Sequence, residues 1–213
     1  MNILLFGKPG AGKGTQAPAL AEKLGVGTLA TGDVLRNASR EGTPMGKRAK
    51  DYMDRGDLVP DEVILGIVGE ALAAPQYRSG AILDGVVRTV PQAEGLERVL
   101  GATKKKVDAV LAFDIDNDEI VRRLSSRLVC GTCQTPYTGD MYKVGDKCPK
   151  CGGTLGRRRD DDPVAIRNRL AVYEEQTAPV FDWYKRNGTK VVVVDAVGPI
   201  DVVTTRALKA LGR

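Results

Sequence analysis

The feature that most constrains this chain is a glycine-rich turn that directly follows an apolar run near its start. Ile3 to Phe6 has the composition of a buried strand, and Gly7 to Thr15 follows it as G-K-P-G-A-G-K-G-T. Glycines let backbone N–H groups point inward without interference from Cβ atoms, and a helix predicted from about Gly14 to Leu24 would aim its positive end at the same place. Lys13 adds a mobile full charge. The arrangement predicts a phosphate-binding loop.

The loop departs by one residue from the strict pattern G-x-x-x-x-G-K-[ST], because Gly14 follows the lysine and the hydroxyl arrives at Thr15. The form G-x-P-G-x-G-K-G-T resembles the loop of nucleoside monophosphate kinases. The alternative is a glycine-rich strand-to-helix turn with an incidental lysine, which the predicted strand before it and helix after it disfavour.

Length and composition fit one main domain with insertions. The chain has 213 residues, of which 42% are hydrophobic and 28% charged, and its formal charge of +5 suits either polyanionic small ligands or nucleic acid. No stretch approaches the roughly 18 apolar residues of a membrane span, and the glycine-rich loop begins too early for a signal peptide. We therefore expect a cytoplasmic protein without a membrane partner.

A second strong pattern lies in the four cysteines, Cys130, Cys133, Cys148 and Cys151. Two C-x-x-C pairs separated by 14 residues predict a structural zinc site with four thiolate ligands, since the chain has no histidine. The alternative of two disulfides or free thiols is disfavoured in a reducing cytoplasm. The segment between the pairs has too few core residues to fold alone, so metal would replace a hydrophobic core.

Short β-rich runs alternate with helical stretches along the rest of the chain, which predicts a parallel sheet covered by helices. The runs are residues 3–6, 26–30, 81–84, 109–115 and 191–194. Two segments interrupt the alternation: a polar, helix-periodic one at 31–60 and the cysteine segment at about 127–162.

Several separate motifs make the chain similar to the adenylate kinase family, in its bacterial form with a long, zinc-bearing lid. Besides the glycine-rich loop, they are T-G-D-V-L-R at 31–36, G-D-L-V-P-D at 56–61, L-D-G at 83–85, R-T-V-P-Q-A at 88–93, Arg123 with Arg127, Arg158 with Asp160 and Asp161, and R-N-R-L at 167–170. The resemblance implies an α/β, three-layer P-loop fold with a five-stranded parallel core formed by residues 1–30, 61–126 and 163–213. It also implies a helical domain at 31–60 that binds the nucleoside monophosphate and a β-rich zinc-binding lid at 127–162.

The reaction implied by the resemblance is ATP + AMP ⇌ 2 ADP with Mg²⁺, carried out by a monomer without nucleic acid. The implied catalytic residues are Lys13, Arg88, Arg127, Arg158 and Arg169. The implied ATP-binding residues are Gly10, Ala11, Gly12, Lys13, Gly14, Thr15, Arg123, Arg127, Pro136, Tyr137 and Gly198. The implied AMP-binding residues are Thr31, Arg36, Asp57, Leu58, Val59, Gly85, Val86, Val87, Arg88, Gln92, Arg158 and Arg169. Asp84 and Asp33 would orient the water shell of Mg²⁺.

The residues support this chemistry apart from the resemblance. Phosphoryl transfer between two nucleotides crowds negative charge, so positioning and a high density of cations do most of the catalysis. The arginines spread over several motifs could converge to supply these cations. A monophosphate is already an anionic nucleophile, so it needs no histidine as general base. We expect the lid arginines to lie apart until a polyphosphate neutralises them.

The chain departs from the family pattern at Val86 and Val87, where an aromatic residue and a proline are usual, and at Leu128, where a second arginine is common. We expect a trans peptide bond between the two valines and weaker binding of AMP.

Two alternative functions remain. One is a kinase of UMP, CMP or GMP, which Gln92 and Thr31 disfavour, and the other is a P-loop zinc ribbon that binds nucleic acid through 157–159, which the acidic run 160–162 offsets.

Overall fold

A parallel sheet organises the computed structural model, which describes residues 1–213 apart from the side chain of Met45. Its helices and strands follow one another along the chain as β1 (Asn2–Phe6), α1 (Lys13–Leu24), β2 (Gly27–Ala30), α2 (Thr31–Arg40), α3 (Pro44–Arg55), α4 (Asp61–Leu72), β3 (Ala81–Asp84), α5 (Val90–Gly101), β4 (Ala109–Asp114), α6 (Asn117–Ser126), β5 (Arg127–Cys130), β6 (Pro136–Thr138), β7 (Leu155–Gly156), α7 (Pro163–Val172), α8 (Ala178–Arg186), β8 (Lys190–Asp195) and α9 (Ile200–Leu211).

The main sheet has five strands in the order β2-β3-β1-β4-β8, and all neighbouring pairs are parallel. In the central strand, Leu4 pairs with Leu83 on one side and with Val110 on the other. The carboxyl ends of the parallel strands therefore meet at one edge, where ligands of open α/β sheets bind. The predicted five-stranded parallel core is confirmed.

Helices cover both faces of this sheet, and β1 shows why. Its side chains alternate, so that Leu4 and Phe6 enter one buried cluster while Ile3 and Leu5 enter the other. The first cluster packs against α4, α5 and α8, and the second against α1, α6 and α9. A strand buried on both faces needs an uninterrupted apolar sequence, which is what residues 3–6 provide. The longest uninterrupted α-helices have 12 residues, while α7 and α8 are joined by a π-helical turn at Tyr173–Thr177, and no helix that the structure describes could cross a membrane.

The segment 31–60 forms α2 and α3, which pack closely against each other. The side chain of Thr43 caps α3 by accepting a bond from the Gly46 N–H at 3.1 Å, and Pro44 occupies the first turn. A Cβ atom on Gly46 would lie only 2.1 Å from the Ala38 carbonyl carbon. Glycine at that position therefore allows the two helices to touch.

The segment 127–162 contains a second, antiparallel sheet in the order β6-β5-β7. Its small apolar cluster consists of Leu128, Cys130, Cys148 and Leu155, with two tyrosines packed against it. Leu128 is buried there, which explains an apolar residue at the position where the sequence analysis noted the absence of an arginine. The predicted β-rich character of this segment is confirmed.

Candidate active site

The glycine-rich loop leaves the carboxyl end of β1 and enters α1. Gly7, Gly10 and Gly12 have φ values of 136°, 86° and 93°, which other residues rarely adopt. At Gly10, a Cβ atom would lie 2.9 Å from Cγ of Leu124. Backbone conformation and close packing therefore both require glycine, and the loop keeps its N–H groups free of side chains at the start of a helix, as a phosphate site needs.

The glycine at position 14, which shifts the loop from the strict pattern, is explained by its neighbour in the fold. A Cβ atom built on it would lie 3.2 Å from Oδ2 of Asp84, at the end of the neighbouring strand β3. Glycine lets that carboxylate approach the loop. Burial raises the pKa of Asp84, and the nearby cations of Lys13 and Arg88 act against this effect.

Lys13 begins α1 and turns back over the loop. Its Nζ donates hydrogen bonds to the carbonyl oxygens of Gly7 at 2.6 Å and Lys8 at 2.9 Å. Burial within the cleft lowers the pKa of Lys13 to about 8; Asp84 raises it in part, and surrounding arginines lower it further. The ammonium is thus held in place but weakly stabilised, and a bound anion would favour its charged form.

Arginines from several segments converge on the same cleft, with two aspartates between them. The Asp161 carboxylate accepts a bond from Arg127 Nε at 2.8 Å and one from Arg169 Nη1 at 3.2 Å. Arg169 also pairs with Asp160 at 3.2 Å. The side chains of Arg127 and Arg169 are 18% and 16% exposed and that of Asp161 only 3%, so this ion-pair group is largely desolvated.

Arg36, Arg88 and Arg158 complete the cluster. Arg88 keeps an exposed side chain in the middle of it, so the charges surround an open cleft, whose walls partly desolvate the guanidinium and lower its pKa. Burial, with Arg36 and Arg127 nearby, lowers the pKa of Arg158 to about 9. The Nε atoms of Arg36 and Arg158 are buried and have no acceptor among the described residues. Both N–H groups are suited to phosphate oxygens.

The expectation that a polyphosphate draws the lid arginines together stays a prediction, because this structure shows one arrangement, in which the two inserted segments are in contact. The aspartates that follow Arg158 already supply part of the neutralising charge. In the sequence, Asp160 and Asp161 belong to a motif shared with the family, and the acidic run 160–162 offsets the charge of the arginines before it. The aspartates could be seen in the sequence, but the pairing of Asp161 with Arg127 and Arg169 depends on the fold.

The carboxyl ends of β2 and β3 bring together the residues assigned to the monophosphate. Thr31 is buried, and its hydroxyl donates to the Gly85 carbonyl at 2.6 Å. Arg36 pairs with Asp33. Asp33 in turn lies close enough to Asp84 to raise its pKa. These two carboxylates beside the phosphate loop fit the water shell of a magnesium ion, which prefers oxygen ligands and retains several waters.

The segment 57–59 follows α3, and one of its side chains is tied to α7. Asn168 donates to the Asp57 carboxylate at 2.8 Å and to the Arg55 carbonyl at 2.8 Å. The Asp57 side chain is therefore engaged, while Leu58 is partly exposed and Val59 buried. The segment 57–59 could therefore hold a ligand through its backbone N–H and carbonyl groups.

Val86 and Val87 occupy the loop after β3. The peptide bonds of the described residues are all trans, as we expected for this pair. Both side chains are buried, at 0% and 3% exposed, in the core cluster below the sheet. The side chains of Val86 and Val87, which the resemblance assigns to AMP, are thus out of reach of a ligand, and only the backbone groups of these two residues remain for such a contact.

The residues assigned to ATP lie in two places. Arg123 donates to the Ala196 carbonyl at 3.1 Å, in the turn that also contains Gly198. The same guanidinium lies beside Gly12 of the phosphate loop, so Arg123, Gly12 and Gly198 are brought together. Pro136 and Tyr137 lie in the lid sheet instead. The Tyr137 hydroxyl is 3.1 Å from Sγ of Cys148, so it is not free for a nucleotide.

The four cysteines converge as the spacing predicted. Their Sγ atoms all lie within 4.8 Å of one another, with Cys130 to Cys151 at 3.5 Å and Cys133 to Cys148 at 3.7 Å. A tetrahedral zinc with bonds of about 2.3 Å places thiolates about 3.8 Å apart, and disulfide sulfurs would be about 2.05 Å apart. Burial acts to raise the pKa of Cys148, but the Tyr137 hydroxyl and backbone N–H groups lower it to about 6. The four thiols fit zinc.

A glycine-rich phosphate loop surrounded by this many guanidinium groups can hold more phosphate than one nucleotide carries. The fold and the site therefore define a phosphotransferase of the P-loop class. The family model described as adenylate kinase matches residues 5–189. This chain belongs to the adenylate kinase family.

Curated relatives agree over the whole length. The adenylate kinase of Gemmatimonas aurantiaca is 57% identical, with 99% of each chain covered. That of Syntrophotalea carbinolica is 48% identical over 100% of this chain and 99% of its own. That of Methanothrix thermoacetophila is 45% identical, with the same coverage. The predicted family, fold class and enzyme class are confirmed, and the comparisons give no support to the two alternative functions.

Proposed function

We propose that this chain catalyses the reversible reaction ATP + AMP ⇌ 2 ADP, with Mg²⁺ bound to ATP and zinc holding the lid. The observation that carries the proposal is the convergence of Lys13 with arginines from four different segments. Arg88, Arg127 and Arg169 lie close enough to Lys13 to lower its pKa, and Arg36 lies close enough to Arg88 to lower the pKa of that group. A site for one polyphosphate needs fewer cations. Two phosphate-bearing substrates held face to face would balance this charge.

In the proposed step, an AMP phosphate oxygen attacks the γ-phosphorus of ATP. The bond to the bridging β,γ-oxygen breaks, and its electron pair stays on the departing ADP, so that no proton transfer is required. Lys13 and the phosphate loop would hold the β- and γ-phosphates, and Arg88 would lie between donor and acceptor because its guanidinium is exposed at the centre of the cleft. Asp84 and Asp33 would hold the water shell of Mg²⁺, which would supply charge neutralisation for the phosphates.

The remaining residues are assigned by position. Gly10 to Thr15 with Arg123 and Gly198 form the ATP side, and Thr31, Arg36, 57–59, Gly85 and Gln92 form the AMP side. Segment 31–60 would act as the monophosphate-binding domain and 127–162 as the lid that supplies Arg127 and Arg158, with Arg169 at its base. The buried, unpartnered Nε atoms of Arg36 and Arg158 support a phosphate between these segments. We further infer a monomer that acts on free nucleotides in the cytoplasm.

A coupled assay of ADP formation tests the proposal. Purified chain is given ATP with AMP, UMP, CMP or GMP in parallel, and a Lys13→Met variant serves as the control for contaminating kinase. We expect ADP formation with AMP at a rate well above that with the other monophosphates. Equal or faster turnover of another monophosphate would reassign the substrate, and no turnover with any of them would refute the proposal.

A further inference from the structure

A hydrogen-bonded network joins the start of α4 to the start of α5. The Asp61 carboxylate accepts a bond from Gln92 Nε2 at 2.7 Å. The Thr89 hydroxyl lies 3.3 Å from both oxygens of the same carboxylate and donates to it. On its other side, Gln92 Oε1 accepts a bond from the Arg88 backbone N–H at 2.7 Å. Gln92 is 1% exposed, so water does not replace these bonds.

The two partners of Gln92 are chemically unlike, and that fixes the direction of its amide. A backbone N–H can only donate, and an ionised carboxylate can only accept. Rotation of the amide by half a turn would place NH₂ against the Arg88 N–H and the carbonyl oxygen against the Asp61 carboxylate. Both contacts would become repulsive in a site with little water, so one orientation is strongly favoured.

An amide held in this way still has one N–H and one lone pair to offer, because each of its polar atoms has used only one of its two bonding positions. Adenine presents an acceptor at N1 beside a donor at its 6-amino group, which matches this pair. Guanine presents the reverse, a donor at N1 beside an acceptor at O6. A glutamine free to rotate could serve either base, whereas a fixed one serves a single base.

We propose that Asp61 is a specificity-determining positioning residue, which fixes the Gln92 amide in the orientation that accepts adenine and rejects guanine. Asp61 acts through Gln92 and does not itself touch the base. The inference rests on the proposed function, because it assumes that Gln92 faces the monophosphate base.

The test compares AMP and GMP in variants of Asp61. Asp61→Ser keeps a residue that suits the first turn of a helix but is too short to reach Gln92. We expect the ratio of the GMP to the AMP dissociation constant to fall about tenfold, as expected when a polar discrimination is lost. The KM for AMP should rise while kcat at saturating AMP changes much less. Asp61→Asn keeps an acceptor oxygen at the same place and should restore most of the selectivity.

Glu62→Ser is the matched control. It removes a carboxylate from the same helical turn, and Glu62 is exposed and has no described bond to the network, so only general electrostatic effects should appear. Equal changes in AMP and GMP affinity for the Asp61→Ser and Glu62→Ser variants would overturn the proposal. A wild-type chain that makes no ADP from ATP and AMP would instead refute the proposed function.

A measurement on the unsubstituted chain covers the case in which Asp61→Ser does not fold. The Gln92 Nε2 proton bonded to Asp61 should exchange with solvent much more slowly than the side-chain protons of a surface glutamine such as Gln76, which is exposed. Rapid exchange of both Gln92 side-chain protons in the folded chain would also overturn the proposal.

Discussion

At the scale of single residues, the site holds positively charged side chains in positions that are unfavourable for charge. Lys13 is held by two carbonyl oxygens in a cleft that lowers its pKa, and the guanidinium of Arg88 stands among other cations. Both groups lose hydration in the folded chain, and nearby carboxylates such as Asp84 offset that loss only in part. Such groups interact strongly with an anion that binds between them. The interaction is strongest with the species that carries the highest charge density.

Lys13→Met and Arg88→Ala should therefore reduce turnover while the fold persists. We expect kcat to fall by about 10²-fold or more, equivalent to about 2.7 kcal/mol of transition-state stabilisation. Lys23→Met, on the exposed end of the same helix α1, should leave kcat unchanged. Steady-state kinetics with circular dichroism as the check on folding decides the matter. Normal turnover in a folded Lys13 or Arg88 variant would show that the residue had been misplaced.

The lowered pKa of Lys13 predicts a pH dependence of kcat/KM, which reports groups in the free enzyme. Lys13 is charged below about pH 8 and loses its proton above it. Attraction of phosphate requires the charged form, so kcat/KM for ATP should decline as the pH rises through about 8. Lys13→Arg, if active, should lack this decline because arginine stays charged. A profile that is flat to pH 9.5 in the wild-type chain would contradict the assignment.

At the scale of elements, one short acidic segment links the lid to the helix that follows it. Asp160 and Asp161 lie between β7 and α7, and Asp161 bridges Arg127 on β5 to Arg169 on α7. A carboxylate that is 3% exposed and bound by two guanidinium groups fixes the position of both. Its removal would leave two neighbouring cations without their shared partner.

Asp161→Asn should lower the free energy of unfolding by about 2 kcal/mol, less than for a fully buried pair since both arginines keep some exposure. A two-substrate analogue should stabilise this variant more than it stabilises the wild type, because its phosphates replace the missing negative charge. Asp162→Asn, which retains the cap of α7 and removes a charge nearby, is the control. Thermal melts with and without the analogue measure both effects; equal stabilisation of all three proteins would refute the explanation.

The lid has its own stability, which depends on metal. Its apolar cluster contains few residues besides the cysteines, so a zinc site, commonly on the order of 10 kcal/mol of apparent binding energy, would contribute most of its folding. We expect about one zinc per chain. Chelation should lower the melting temperature and expose residues 127–162 to proteolysis before the sheet core. Less than about half an equivalent of zinc, or cysteines paired as disulfides, would contradict this prediction.

At the scale of the whole molecule, the two inserted segments touch each other through exposed polar groups. Arg40 on α2 donates to the Gly131 carbonyl in the cysteine segment, and Arg159 pairs with Asp54 on α3 at 3.4 Å. Exposed ion pairs contribute only about 0–1 kcal/mol each. These contacts alone cannot hold the two segments together against the repulsion of the arginines between them, so nucleotide should supply the remainder.

The distance between the two segments should therefore shorten when both nucleotide sites are filled. Labels at Lys47 on α3 and Lys143 in the lid, both exposed, allow the distance to be measured by resonance energy transfer. A two-substrate analogue should bring it to the value in this structure, and ATP alone should change it less. Labels at Lys23 and Lys209, on two helices of the core, should show no change. An unchanged distance between Lys47 and Lys143 would count against closure.

The sequence by itself determined the fold class and the chemistry of the site. The strand, glycine-rich loop and helix at 3–24, the alternation of β-rich and helical runs and the spacing of the four cysteines are local patterns. Local patterns can be interpreted without the fold because the relevant neighbours lie within a few residues. Gly10, Lys13 and the cysteine pairs were identified in this way, and the separate motifs identified the arginines as a group.

The tertiary structure alone decided how distant groups pair. Gly14 makes room for Asp84, Asp161 bridges Arg127 and Arg169, and Leu128 belongs to the lid core. Asp61 fixes Gln92 across 31 residues. Each of these depends on two or more chain segments that meet only after folding, and a charge or a glycine in a sequence does not specify its partner. Periodicity records which residues are buried, whereas hydrogen bonds and ion pairs depend on ångström distances that only the packed chain sets.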